Sequence, residues 1–424
     1  MYHLETNAVH AGYEPEQTTH ANIPPLYMTT AYSFDNVEHA RKLFALEEGG
    51  NIYTRLQNPT TDLLEARVAA LEGGIGALAL SSGHAAIVHA LLTIAREGDE
   101  IISASTIYGG AINLLGKTFK RMGITVHFAD TDRPETFREK INEKTRAIFI
   151  EAIGNPTAKV CDLEALAEIA HENGLPFIVD NTFATPALLR PFEHGADLII
   201  HSTTKYLSGN GTAMGGMIVD SGKFVWKGNP RFAEMNAPDP SYHGVVFADL
   251  GEQAFLVKAR ALTLRDLGSC QSPFNAWVTM LGMETLSLRM ERHSENALKV
   301  AKFLETHSAV ERVDYPGLAS SRYYPLAQKY LPNGASAVFT FEIKGGREAG
   351  ARFCNHLKLL RIVANLGDSR SMVSHPATTT HSQLSDEQLL AAGISATTIR
   401  LSIGIEHIDD ILADIAQALD ASQI

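Results

Sequence analysis

The chain has 424 residues, 45% apolar and 20% charged, with 36 Lys and Arg against 48 Asp and Glu for a formal net charge of −12. That length is ample for two or three domains with sizeable cores, and the composition excludes wholesale disorder. The acidity argues against nucleic acid or an anionic membrane surface as the main partner, and no apolar run of about 18 residues offers a membrane span.

Residues 1–60 carry little periodicity and include Pro24-Pro25 and Asn58-Pro59. They read as an extended arm of the kind that crosses onto a neighbouring subunit. The N-terminus has no basic segment followed by an apolar run, so no secretory signal is read and the chain is expected in the cytoplasm. From 61 to 265, short β-rich runs at 77–80, 100–102, 124–126, 147–150, 177–179 and 198–200 alternate with helical patterns. Between the fourth and fifth runs Leu163, Leu166, Ala167 and Ala170 form a helical stripe, with Asp162 as cap and Gly174 as stop. This repetition predicts an α/β fold with a mostly parallel sheet in a large domain.

From 266 to 424 the character changes to that of a smaller α+β domain. A long helix is expected over 274–306, then strands at 335–343, 359–366 and 399–405. A final helix follows, with Ile408, Ile411, Leu412, Ile415 and Leu419 on one face. Cys161, Cys270 and Cys354 are widely spaced, without a CxxC or a His/Cys ladder. They imply neither a disulfide framework nor a metal site and read as reduced, small, buried hydrophobes.

Several catalytic motifs fail. Gly116-Lys117-Thr118 ends like a P-loop, but Ala111 stands where its first glycine belongs and the interior is apolar, so 111–118 reads as helix. Gly73, Gly74 and Gly76 lack dinucleotide-site spacing, and neither HExxH nor GxSxG occurs.

What remains is a series of polar residues at the carboxyl ends of expected strands, where open α/β sheets bind ligands. Ser81, Ser82, Gly83 and His84 precede a helix, whose free N–H groups suit a phosphate; the same residues also read as an ordinary capped turn. Tyr108-Gly109-Gly110, Asn155-Pro156 and Asp180-Asn181-Thr182 each follow an apolar run. A carboxylate at the position of Asp180 needs a cationic or hydrogen-bonding partner, or else serves as a cap or turn former. Lys205, framed by Ser202, Thr203, Thr204 and Ser208, stands 25 residues beyond Asp180 and just before a glycine-rich loop at 209–216. Desolvation there would free its amine as nucleophile or base, facing the same ligand as Asp180 from the next strand. With period two, Arg400 shares a strand face with Ser402 and Gly404, opposite Leu401, Ile403 and Ile405. That leaves room for a bidentate carboxylate, or for a structural salt bridge.

Together these motifs resemble the pyridoxal-phosphate enzymes of cystathionine and methionine metabolism, within the aspartate-aminotransferase-like fold. The resemblance runs from about Thr6 to the last helix and is most specific over 197–211. It implies pyridoxal 5′-phosphate as cofactor, with Lys205 bonded to its aldehyde and Asp180 keeping its ring nitrogen protonated. It implies that Tyr108 stacks on the ring and shares in proton transfer. Gly83, His84, Ser202 and Thr204 would hold the phosphate, joined by Tyr53 and Arg55 from a neighbouring subunit. Arg400 would take the substrate α-carboxylate, with Asn365 also on the substrate and Asn155 near the cofactor ring hydroxyl. No residue is implied as a metal ligand.

Within the group, Gly110 stands where methionine γ-lyases carry cysteine. Segments 82–86, 234–246 and 365–383 resemble O-acetylhomoserine sulfhydrylases, whereas Asn210 replaces the usual His or Gln. The resemblance therefore implies γ-replacement on O-acetyl-L-homoserine by sulfide or methanethiol, in a homodimer unit paired into a tetramer. Methionine γ-lyase and cystathionine γ-synthase activities remain alternatives, as does a binding protein on a catalytically dead fold.

Overall fold

The computed structural model describes residues 2–379 and 394–423, so positions 380–383 of the sulfhydrylase-like segment lie outside the described residues. All six expected strands of the first half form: β1 (Gly76–Leu80), β2 (Glu100–Ala104), β3 (Thr125–Ala129), β4 (Thr145–Glu151), β5 (Phe177–Asp180) and β6 (Leu198–His201). A seventh, β7 (Gly216–Asp220), extends what the sequence suggests is only a glycine-rich loop. It lies antiparallel between β1 and β6, giving the order β1-β7-β6-β5-β4-β2-β3; the other neighbouring strands pair in parallel. Gly216 opens β7 because a Cβ there would collide with the carbonyl of Ser82.

Local chemistry explains the element ends that matter here. The helix Leu163–Glu172 begins where the Asp162 side chain accepts from the Ala165 amide, and Gly174 follows its end at φ +66°. The P-loop-like segment is helical, as its apolar interior implies, with a wider turn over Leu114–Thr118. The arm is not wholly extended. It holds two short helices, α1 (Leu4–His10) and α2 (Val37–Phe44), and Asn58-Pro59 is the start of α3 (Pro59–Glu72), where the Asn58 side chain accepts from the Thr60 amide.

The expected long helix over 274–306 is two helices, Pro273–Met283 and Leu286–Thr306. They part where Gly282 packs against the carbonyl of Ser208, while the Arg289 guanidinium donates to the Gly282 carbonyl at 2.7 Å. A five-stranded sheet follows, in the order β10-β11-β12-β9-β8. Its strands are β8 (Val310–Asp314), β9 (Val338–Ile343), β10 (Arg361–Ile362), β11 (Met372–Ser374) and β12 (Thr398–Ser402). The strand expected over 359–366 therefore shrinks to two residues. All five residues of β12 are buried, so Arg400 does not lie on a solvent face. The last helix, Ile408–Ser422, buries Ile411, Ile415 and Leu419, and one apolar core runs through both sheets.

The three cysteines form no disulfide; Cys161 and Cys354 are buried, but Cys270 is only half-buried. Among the described residues no helix is long and apolar enough to cross a membrane.

Candidate active site

Parallel pairing sets the ends of β4, β5 and β6 side by side, with Glu151 opposite Asp180 and Asp180 opposite Ile200. A cavity of about 470 Å³ opens at these ends. Its lining includes the residues to which the resemblance assigns a role in one subunit's site: Gly83, His84 and Tyr108; Asn155 and Asp180; Ser202, Thr204 and Lys205; Asn365 and Arg400.

Lys205 enters from the turn after β6. Burial, helped by the positive Arg400, pulls its amine down to about 8, and the Nζ donates to Asn365 Oδ1. The turn is held from behind by Arg289, which donates to the carbonyls of Tyr206 at 2.8 Å and Leu207 at 3.4 Å. Gly209 ends it at φ +69°, where the guanidinium leaves no room for a Cβ.

Arg400 is 8% exposed. Its Nη1 donates to Asn155 Oδ1 at 3.3 Å and its Nη2 to the carbonyl of Asn365 at 3.1 Å. Among the described residues no carboxylate forms an ion pair with it, so the structural-salt-bridge alternative has no partner there. A buried guanidinium without such a partner beside a cavity is suited to receive a carboxylate. Asn365 joins the two cations, its side chain serving Lys205 and its carbonyl Arg400.

At the opposite charge, Asp180 accepts from the Thr182 amide at 2.9 Å. Glu151 accepts from the amides of Tyr108 at 2.7 Å and Asn155 at 3.1 Å. Burial raises both carboxyl groups above the ordinary range, and the neighbouring Asp180 adds to the rise at Glu151. The two together favour a cation or a shared proton at this end of the cavity.

The amino end of α4 (Gly83–Leu92) faces the cavity, capped by Ser82, whose Oγ accepts from the Ala85 amide at 3.1 Å. A Cβ on Gly83 would stand 2.7 Å from that of Ser202, so glycine lets the helix end approach the turn after β6. The Ser202 amide donates to Thr182 Oγ1 at 2.9 Å, and Thr204 Oγ1 is tied to Gly215. The His84 and Tyr108 rings meet edge to face at 5.6 Å. A Cβ on Gly110 would lie 2.5 Å from Tyr108 Cε1 and 3.1 Å from His84 Cε1, so a cysteine there requires a different setting of the Tyr108 ring.

Tyr53 and Arg55 are not brought into this cavity. The Arg55 guanidinium lies 5.6 Å from the Tyr53 ring and donates to the carbonyl of Arg265. Glu151 and Arg289 are site residues that the sequence reading passes over; Thr182, named there only beside Asp180, accepts from the Ser202 amide. Glu151 carries the same signal as Asp180, a carboxylate directly after a buried run, whereas nothing near Arg289 in the chain points to Lys205. Among the described residues no cluster of His, Cys, Asp or Glu is placed to hold a metal ion.

The family model of the Cys/Met metabolism PLP-dependent enzymes matches residues 5–420. The chain belongs to that family. Among its relatives, the O-acetyl-L-homoserine sulfhydrylase of Leptospira meyeri is 50% identical, over 98% of this chain and 96% of that protein. O-acetyl-L-homoserine sulfhydrylase 1 of Thermus thermophilus is 51% identical, over 98% and 99% respectively. The homocysteine synthase of Schizosaccharomyces pombe is 49% identical, over 99% of both chains. A crystal structure of a putative O-acetylhomoserine (thiol)-lyase from Campylobacter jejuni superposes with a TM-score of 0.96 at 43% identity, covering 99% of this chain and 100% of that one. It carries N′-pyridoxyl-lysine-5′-monophosphate at position 205.

The cofactor of this PLP-dependent enzyme is thus pyridoxal 5′-phosphate, and the cavity fits it on its own chemistry. The end of α4 supplies free amides for a phosphate, the carboxyl pair suits a protonated ring nitrogen, and Lys205 presents a desolvated amine to an aldehyde. The volume lies within the range usual for cofactor sites, about 300–1,000 Å³.

Proposed function

We propose that this enzyme catalyses γ-replacement on O-acetyl-L-homoserine, sulfide displacing acetate to give L-homocysteine, with methanethiol giving methionine in the same way. The observation that carries the reading is the pairing of Arg400 with Lys205 through Asn365. An amino-acid carboxylate on the Arg400 fork places its Cα beside the one desolvated amine among the residues lining the cavity. The sulfhydrylase and homocysteine-synthase names of relatives at about half identity support the substrate.

In this reading Gly83, His84, Ser202 and Thr204 hold the cofactor phosphate. Asp180 holds a proton at the ring nitrogen, and Asn155 lies near the ring hydroxyl. Bound pyridoxal 5′-phosphate supplies an electron sink that acidifies the hydrogens of the attached amino acid. Lys205 removes the proton from Cα and then moves one at Cβ, and the Tyr108 hydroxyl assists. Acetate leaves Cγ with the electron pair of the C–O bond, and the sulfur of hydrosulfide forms the new bond to that carbon.

We further infer a homodimer, paired into a tetramer, in which Tyr53 and Arg55 complete the neighbour's phosphate site. Support comes from the exposure of Tyr53, and of Tyr108 and Met214 at the cavity, together with apolar Ile23, Met28 and Phe44 on the arm. Residues 61–265 form the cofactor domain and 266–424 the smaller one in this proposal. Three unpaired cysteines accord with a cytoplasmic setting.

Initial rates with two esters and two nucleophiles test the substrate assignment. O-acetyl-L-homoserine with sulfide is expected to exceed both O-succinyl-L-homoserine with sulfide and O-acetyl-L-homoserine with cysteine by about tenfold or more in kcat/KM, a difference of about 1.4 kcal/mol. Cystathionine formed from cysteine at the higher rate would make the enzyme a cystathionine γ-synthase instead.

A further inference from the structure

Glu151 transfers no proton in the reaction just described, yet beside its charge it joins two parts of the site. It ends β4, is 7% exposed, and spends both carboxylate oxygens on backbone amides. One is the amide of Tyr108, in the turn after β2; the other is the amide of Asn155, in the turn after β4. These turns press on each other independently of Glu151, because a Cβ on Gly154 would stand 2.5 Å from the carbonyl oxygen of Thr106. Glu151 itself is fixed from the side: its own carbonyl accepts from Cys161 Sγ at 3.1 Å, and the Ala152 amide donates to the Asp180 carbonyl at 3.0 Å. A carboxylate that bridges two loop amides determines how far apart the loops sit and which way their side chains face.

We propose that Glu151 is a positioning residue, a clamp between the Tyr108 and Asn155 turns that sets both side chains for the cofactor ring. The inference rests on the reading of Tyr108 and Asn155 as cofactor-facing residues. Only an acceptor at both oxygens satisfies the two amides. In Glu151→Gln one of the two positions becomes an NH₂ group facing an N–H, so either amide orientation leaves one loop unheld.

The test measures three quantities on Glu151→Gln: the dissociation constant for pyridoxal 5′-phosphate by fluorescence titration of the apoprotein, kcat of the reloaded enzyme, and the unfolding midpoint of the apoprotein. Cofactor affinity is expected to fall about 10- to 100-fold and kcat by at least about tenfold, with the midpoint within about 3 °C of wild type. On a Tyr108→Ala background, where one of the two aimed side chains is gone, the same substitution is expected to cost less affinity than it does alone. Wild-type affinity and kcat in Glu151→Gln would overturn the proposal. Should that variant fail to fold, Gly154→Ala decides, since it keeps Glu151 but forces the two turns apart. Loss of cofactor affinity in Gly154→Ala supports the clamp, and wild-type affinity overturns it. Wild-type protein that takes up no pyridoxal 5′-phosphate would overturn the site reading along with this inference, whereas a Glu151→Gln variant that binds as tightly as a binding-competent wild type overturns the inference alone.

Discussion

Lys205→Ala is expected to lose kcat by about 10⁴-fold or more, because in the proposed mechanism one side chain supplies both the covalent anchor and the proton shuttle. The loss cannot be restored by Lys205→Arg, whose guanidinium stays protonated at any working pH. The environment that makes Lys205 useful also gives the wild type a signature. Burial and the neighbouring Arg400 bring the amine to about 8 from the ordinary 10.5. Only the neutral amine attacks an aldehyde, and the neutral fraction grows as pH rises towards that value. The rate of cofactor uptake by the apoprotein is therefore expected to rise about tenfold per pH unit below 8 and to level off above it. Stopped-flow absorbance at a series of pH values measures this. A rate still climbing tenfold per unit beyond pH 9 would mean that Lys205 is an ordinary solvated lysine.

Arg400 carries the second large effect. Its guanidinium is buried with two amide oxygens as partners and, among the described residues, no carboxylate, which is costly until an anion arrives. Arg400→Leu is expected to lower kcat/KM for O-acetyl-L-homoserine by about 10³-fold, chiefly through KM, since the charge-assisted fork proposed for the substrate carboxylate is lost. Arg400→Lys keeps a charge but not the planar fork, so an intermediate loss is expected. Thermal unfolding separates this role from a structural one. If Arg400 is held in readiness for substrate, removing its unpaired charge leaves the apoprotein midpoint unchanged or raises it. A marked fall in the midpoint with little change in KM would assign Arg400 to the fold rather than the substrate.

The parts of this molecule that could be read from sequence are those where a short segment contains its own explanation. Runs such as 147–150 and 198–200 are apolar throughout because both faces of a parallel strand are covered. Residues just past such runs lie at the strand ends, which is why Asp180 and Lys205 stand out. β7 escapes the same reasoning because its apolar centre is only Met217, Ile218 and Val219, behind Gly215 and Gly216, the second of which is pressed against the distant Ser82. The break at Glu284-Thr285 is likewise set in part from outside the helix, by the Ser208 carbonyl against Gly282. Glu151 shows the limit most clearly. Its position after Ile150 marks a strand end, but its partners are backbone amides of two loops, and a sequence carries no record of where backbone N–H groups point. Tyr53 and Arg55 are silent for another reason, since one chain alone brings neither into its own cavity.

The most direct test of γ-replacement is a product balance on cofactor-loaded protein with O-acetyl-L-homoserine, with and without sulfide. Homocysteine matching the acetate released when sulfide is present, with little 2-oxobutyrate when it is absent, is the expected result. Abundant 2-oxobutyrate and ammonia whether or not sulfide is added would contradict it and make the enzyme a γ-lyase.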